Sequence, residues 1–348
     1  MMAIKLDFNS IKSAKLAISL ISVGLVLGLL LSVLAFYVLS SFPNQTINLN
    51  QKQLYTVTKG MGFNQMCRDL VSKEIIKNCG PLKWFTKFTP KLRKIKAGLY
   101  ELDGQMTHLT MLEKLTSGVE HQFDFTIVEG EQLKQVLAKV VNAPYLTQDI
   151  ENGAWLNSNF KNPYDSLEGL LYPDTYYYSA NSSARKLLLR AYQRMDEKLH
   201  DAWDKRADNL PYDTAYQALI MASIIEKETG QAVERPVIAS VFVNRLRKKM
   251  RLQTDPTVIY GLGDAFDGDI TRAHLRQKTP YNTYRINGLP PTPIAMPAIA
   301  AIDAALNPDD SPYIYFVSKK DGSHHFSTTL AEHNQAVRYY QLGKGAKP

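Results

Sequence analysis

The segment from Ala218 to Gly230 reads ALIMASIIEKETG, a nearly all-apolar run that ends in two glutamates and a glycine. The pattern predicts a helix, and a helix that is apolar all round is a buried one. At about 100° per residue Glu226 and Glu228 project about 200° apart, so one cleft can hold only one of them. Glu226 sits over Leu219, Ala222 and Ser223, a small and largely apolar face that could border a groove. Desolvation there, together with the helix C-terminal dipole, would raise its pKa. A general acid working near neutral pH needs such a shift. The competing reading is a last-turn glutamate paired with Arg235 or Arg245, and helix geometry alone leaves both open.

Downstream, VFVNRL (241–246) lies on the next predicted helix, followed by LQTDPTVIYG (252–261), YNTY (281–284) and GLPP (288–291). Asn244, Gln253, Thr254, Asp255, Tyr281 and Asn282 are the candidate binding residues. Neutral hydrogen-bonding groups interleaved with tyrosines suit a sugar polymer, whose faces stack and whose hydroxyls both donate and accept. Asp255 precedes a proline and reads equally as a turn former. Glu168 and Asp174, in the aromatic stretch Ser166 to Tyr178, could line the same cleft or simply pack their loop. Other chemistries find little support. His324, His325 and His333 cluster in sequence, but no HExxH or other ligand spacing is present, so no metal is expected. There is no GxSxG, SxxK or Walker loop, no local signature around either cysteine, and no sign of a cofactor.

The elements that must position these groups follow from periodicity. Leu54 to Thr58 and Ala97 to Leu102 alternate like strands; a helix is expected from Phe63 to Val71 and another around Leu109 to Leu115, closed by Gly118. Phe123 to Val128 opens a second unit as a strand, with a helix over Leu133 to Val141. The aromatic stretch around Pro173 reads as a loop. Beyond it come helices over Ala184–Asp204, Asp213–Thr229, Pro236–Met250 and Ala298–Leu306, then a hairpin from Tyr313 to Ser327. Thr329 and Glu332 form a capping box for a last helix.

The chain has 348 residues, too many for one ordinary core. Its 41 Lys and Arg against 33 Asp and Glu give a net charge of +8, which suits nucleic acid, anionic lipid or an acidic polymer alike. Residues 16–42 carry no charge, and about 24 of them as helix would span roughly 36 Å, enough for a bilayer core of about 30 Å. A signal peptide would have a shorter apolar region. Lys5, Lys12 and Lys15 precede the span, and the nearest basic residue beyond it is Lys52, which keeps the N-terminus cytoplasmic and exports the rest. That topology speaks against nucleic acid as a partner. Cys67 and Cys79 would stand about 18 Å apart on one continuous helix, so pairing requires a chain reversal between them and stays open.

The ordered motifs LEGLLYPDTY, ASIIEKET, ASVFVNRLRKKMRLQTDPTVIYG, YNTY, GLPPTPI and YIYFVS…HHFS resemble those of the YceG-like endolytic murein transglycosylases, single-span envelope enzymes that cut nascent peptidoglycan. The likeness runs from about Tyr55 to Tyr340. It implies an α+β chain: cytoplasmic tail 1–15, transmembrane helix 16–42, tether and LysM-like module 43–122, and a mainly helical catalytic domain 123–348 with a β-hairpin and a lysozyme-like active region. It also implies Glu226, first in EKET, as single acid/base, with 1,6-anhydro-muramyl products. The implied partners are peptidoglycan strands, the inner membrane and peptidoglycan synthases (penicillin-binding proteins). A catalytically silent peptidoglycan-binding scaffold of the elongation or division machinery is the alternative.

Overall fold

The structure is a computed structural model that describes residues 8–150 and 166–348, with elements numbered here over those residues. The chain divides into two compact units, Met1–His121 and Gln122–Pro348.

In the first unit β1 (Gln53–Val57) pairs antiparallel with β2 (Gly98–Leu102), Tyr55 facing Tyr100. Alternation turns Tyr55 and Val57 inward and leaves Thr56 out. Between the strands lie α2 (Phe63–Ser72) and α3 (Gly80–Phe88), followed after β2 by α4 (His108–Ser117). α2 buries Phe63, Met66, Cys67 and Leu70, one stripe at spacings of three and four. Each such side chain contributes roughly 1.5–3 kcal/mol of transfer free energy. The chain reverses after α2 through Glu74, at a φ of 59°. Cys67 and Cys79 thereby come to a Cα separation of 5.8 Å and are joined by a disulfide. The sequence reading did not identify α3; a proline in its first turn, where no N–H is needed, starts it. Gly118, at a φ of 79°, ends α4 in the left-handed conformation.

α1 runs over Phe8–Ser41, 34 residues. Its side chains are described without a break only over 21–34, where all are exposed. Over what is described, no helix is long and apolar enough to cross a membrane. The spanning segment read from the sequence thus lies partly outside the described side chains, and residues 1–7 of the expected tail lie outside the described residues.

The second unit is mostly helical, with two small antiparallel sheets. β3 (Gln122–Thr126) pairs with β4 (Thr175–Ser179), and β5 (Tyr315–Ser318) with β6 (His324–Ser327). Its helices are α5 (Leu133–Val141), α6 (Ala184–Trp203), α7 (Ala215–Glu228), α8 (Arg235–Arg247), α9 (Asp255–Leu262), α10 (Arg272–Arg276), α11 (Ile299–Leu306) and α12 (Leu330–Ala336). β4 corrects the loop expected over the aromatic stretch: Tyr176 and Tyr178 turn into the core opposite Phe125 and Phe123, and Tyr177 faces out. α9 also arises where a turn was one reading, because Pro256 falls in its first turn.

α7 is the central rod. Thr214 caps it, its hydroxyl accepting the Gln217 N–H at 3.2 Å, and every residue from Ala218 to Ile225 is buried. It packs on α11, α8, α6 and α9. Ser223, the one polar residue in that run, is satisfied: it donates to the Ile220 carbonyl and accepts the Ile294 N–H. The rod is thereby fixed in rotation as well as position, and its last turn delivers the two glutamates.

Candidate active site

The two glutamates leave α7 in different directions and meet different chemistry. Glu226 turns toward the start of α8 and the N-terminus of α11. Its Oε1 accepts from Arg235 Nη2 at 3.2 Å and its Oε2 from the Ala298 N–H at 2.9 Å. The side chain is 4% exposed and Arg235 only 11%. Burial raises the Glu226 pKa; the Ala298 N–H and Arg235 pull it back, and the charge of Glu129 adds to the rise. Both oxygens are committed to the protein, so this carboxylate ties α7 to α8 and α11, as the Arg235-pairing reading anticipated.

Glu228 lines a cleft of about 400 Å³. Its Oε1 accepts from the Thr254 hydroxyl, the one hydrogen bond of that carboxyl among the described residues. Burial pushes its pKa up to about 7, with Asp255 adding to the rise and Thr254 and Arg245 opposing it. Thr254 occupies the N-cap position of α9 without capping it. Its hydroxyl is thus available to Glu228, while its N–H donates to Thr283 Oγ1 at 3.0 Å. Gln253 beside it holds a φ of 51°, a left-handed conformation costly for a side chain with a Cβ. Strain of this kind persists where the surroundings over-determine it; here the Gln253 N–H and the Thr254 N–H both anchor on Thr283. Asp255, exposed at the first turn of α9, accepts the Tyr284 hydroxyl at 2.7 Å.

Arg245 braces the cleft without offering it a free fork. Its Nε donates to the Ile314 carbonyl at 2.7 Å and its Nη1 to the Leu252 carbonyl at 2.7 Å, which bolts α8 to β5 and to the loop carrying Gln253. Its guanidinium lies 5.2 Å from the centre of the Tyr315 ring on the opposing wall. Loss of water around the charge lowers its pKa, though the group stays a cation.

Of the sequence-derived candidates, Gln253, Thr254 and Asp255 gather in the cleft with Glu228. Asn244, Tyr281 and Asn282 do not. The Asn282 side chain is fully buried, its amide shared among the carbonyls of His274, Leu275 and Gln277 and its oxygen accepting the Tyr284 N–H. It therefore shapes the loop that presents Tyr284. Asn244 donates to the carbonyls of Ser311 and Tyr313 and so positions the approach to β5. Tyr281 packs on Tyr260 and bonds to Thr292. Glu168 is buried too, accepting the Leu133 N–H and the Tyr260 hydroxyl, and burial raises its pKa to about 7. Asp174 pairs with Arg194 at 2.7 Å. Sequence reasoning missed Tyr284, Tyr315 and His333 as cleft residues; Leu330 and His333, three apart behind a capping box, were the available signal. Among the described residues no three His, Cys, Asp or Glu side chains form a group able to hold a metal ion.

The cleft thus holds a desolvated, protonatable carboxyl among polar groups and tyrosines, on an α+β scaffold. A family model described as the YceG-like family matches residues 55–339. The chain is 32% identical over 324 residues to the endolytic murein transglycosylase of Bacillus subtilis (strain 168), covering 87% of each protein. It is 26% identical over 340 residues to the endolytic murein transglycosylase of Streptococcus pneumoniae serotype 2 (strain D39 / NCTC 7466), covering 86% of this chain and 60% of that protein. A crystal structure of a yceG-like protein from Listeria monocytogenes superposes with a TM-score of 0.53 at 34% identity, over 82% of this chain and 99% of that one. This chain belongs to the YceG-like family.

Proposed function

We propose that the protein is an endolytic murein transglycosylase that cuts the MurNAc–GlcNAc bond within peptidoglycan strands and leaves 1,6-anhydro-muramyl ends. The observation that carries the reading is the cleft carboxyl with one uncommitted oxygen, beside Gln253, Thr254 and Asp255. We further propose that Glu228, rather than the Glu226 favoured from sequence, is the acid/base. Glu226 spends both oxygens on Arg235 and Ala298.

In the reaction, neutral Glu228 gives its proton to the glycosidic oxygen as the C1–O bond breaks. As carboxylate it takes the proton of the C6 hydroxyl of the same muramyl residue, whose oxygen closes on C1. No water is consumed, so no second carboxylate is needed to activate one, unlike the paired carboxylates of most glycoside hydrolases. A pKa of about 7 serves both steps, since the group must lose and regain one proton per turnover.

The same reading makes the uncharged stretch 16–42 an inner-membrane anchor with its N-terminus inside; the lysines before it and the exposed apolar side chains over 21–34 support that. The order β1, α2, α3, β2 supports a LysM-like module. A cutter of nascent strands works where they are made, beside peptidoglycan synthases.

The test is a digest of nascent uncrosslinked strands by wild type, Glu228→Gln and Glu226→Gln, read by mass spectrometry. Anhydro ends made by wild type and the folded Glu226 variant, but not by the Glu228 variant, are expected. Loss in the Glu226 variant alone would return the role to Glu226. Reducing ends would make the enzyme a hydrolase, and no cleavage would leave a silent scaffold.

A further inference from the structure

The acid/base reading leaves one wall of the cleft unused, the wall made by β5 and α12. Leu330 and His333 stand three residues apart and share a face of α12, and both line the cleft with Tyr315. The Thr329–Glu332 capping box and the buried Ala336 fix that helix in place. The His333 ring stacks on Tyr315 at 5.1 Å between centroids and 23° between planes. Arg245 lies against the same tyrosine ring. Burial, the Arg245 charge and His325 all disfavour protonation of His333, so the ring is neutral and offers one donor and one acceptor. Its buried Nδ1 has no hydrogen-bond partner among the described residues. Nδ1 is closed to solvent, so Nε2, which also has no hydrogen-bond partner among the described residues, is the nitrogen that a ligand in the cleft can reach. Beside it Leu330 is 56% exposed and gives the cleft an accessible apolar surface.

One common substituent meets all of these features. An acetamido group carries an N–H and a C=O, so it complements a neutral imidazole in either tautomer, and its methyl needs an apolar neighbour. A bare amine or hydroxyl has no such methyl, and an ammonium would stand in the field of Arg245. We infer that His333 and Leu330 form the seat for a sugar N-acetyl group, which makes them specificity-determining residues for N-acetylated glycan. This rests on the glycan-cutting reading above.

The test compares kcat/KM of the detergent-solubilised full chain on N-acetylated strands and on the same strands chemically de-N-acetylated. Wild type is expected to prefer the acetylated strands. In His333→Ala the ratio should fall roughly tenfold, the scale of one lost hydrogen bond. His333→Gln, which keeps a donor and an acceptor, should restore part of it, and Leu330→Ser should lower the ratio with the imidazole intact. Equal losses on both substrates in His333→Ala and Leu330→Ser would mark a merely structural wall and overturn the inference. A wild type that cuts both substrates equally would overturn it too. A wild type that cuts neither would remove the glycan-cutting reading along with it.

Discussion

Replacing Glu228 by glutamine should stabilise the protein, and by more as the pH rises. In the fold the carboxyl titrates near 7, against 4.5 in the ordinary state taken for the unfolded chain. Between those values the native protein binds more protons than the unfolded one, so stability falls with rising pH. The contribution is fully present below about pH 4.5 and lost as the pH passes through 7. A rise of about 2.5 units at 1.36 kcal/mol each amounts to about 3 kcal/mol. Glutamine keeps the shape and can still meet the Thr254 hydroxyl, but carries no charge to desolvate. The Tm advantage of Glu228→Gln over wild type should therefore grow between pH 5 and pH 8 by roughly 6–12 °C for a unit of this size. Glu168 also titrates near 7 but is common to both proteins, so it cancels in the difference. Thermal melts at half-unit pH steps make the measurement. A Tm difference that stays flat across the range would mean Glu228 ionises normally, and the proposed acid would lose its physical basis. Catalysis should follow the same titration: kcat/KM should decline above about pH 7 as the general acid loses its proton.

Glu226→Gln should destabilise by about 2 kcal/mol, because an amide can accept from only one of Arg235 and the Ala298 N–H and leaves the other buried donor unpaired. Its melting temperature should drop, while activity per folded molecule stays far above that of Glu228→Gln. Cys67→Ser should lower the stability of the first unit by about 3 kcal/mol, the loop-entropy value for a closure of 12 residues. Reductant should reproduce that loss in wild type and leave the variant unchanged, as followed by limited proteolysis at Met1–His121.

Much of the scaffold could be read from local pattern. α7 announced itself by its nearly all-apolar run, and α12 by its capping box. The failures have local causes too. The Asp255-Pro256 step read equally as a turn, yet Pro256 is a first-turn residue of α9; α3, which also starts on a proline, went unidentified. In β4 the run of tyrosines hid an alternation that becomes visible only once Phe123 and Phe125 lie opposite. The site was harder. Helix geometry stated that Glu226 and Glu228 diverge, but which one meets a cleft depends on Ala298 and Thr254, 72 and 26 residues further along. Asn282 looked like a sugar-binding amide because nothing in YNTY reveals that three carbonyls already hold it.

The cleft collects its walls from widely separated parts of the chain: Glu228 at the end of α7, the loop 252–255, β5, and last of all His333 and Asn334 on α12. A chain still emerging, with residue 330 not yet delivered, has Glu228 but only half its groove. The groove that the proposed reaction needs is therefore complete only once residues 330–334 are in place. For a protein proposed to break the polymer that holds a cell together, that dependence on the last-made wall would act as a safety catch during biogenesis.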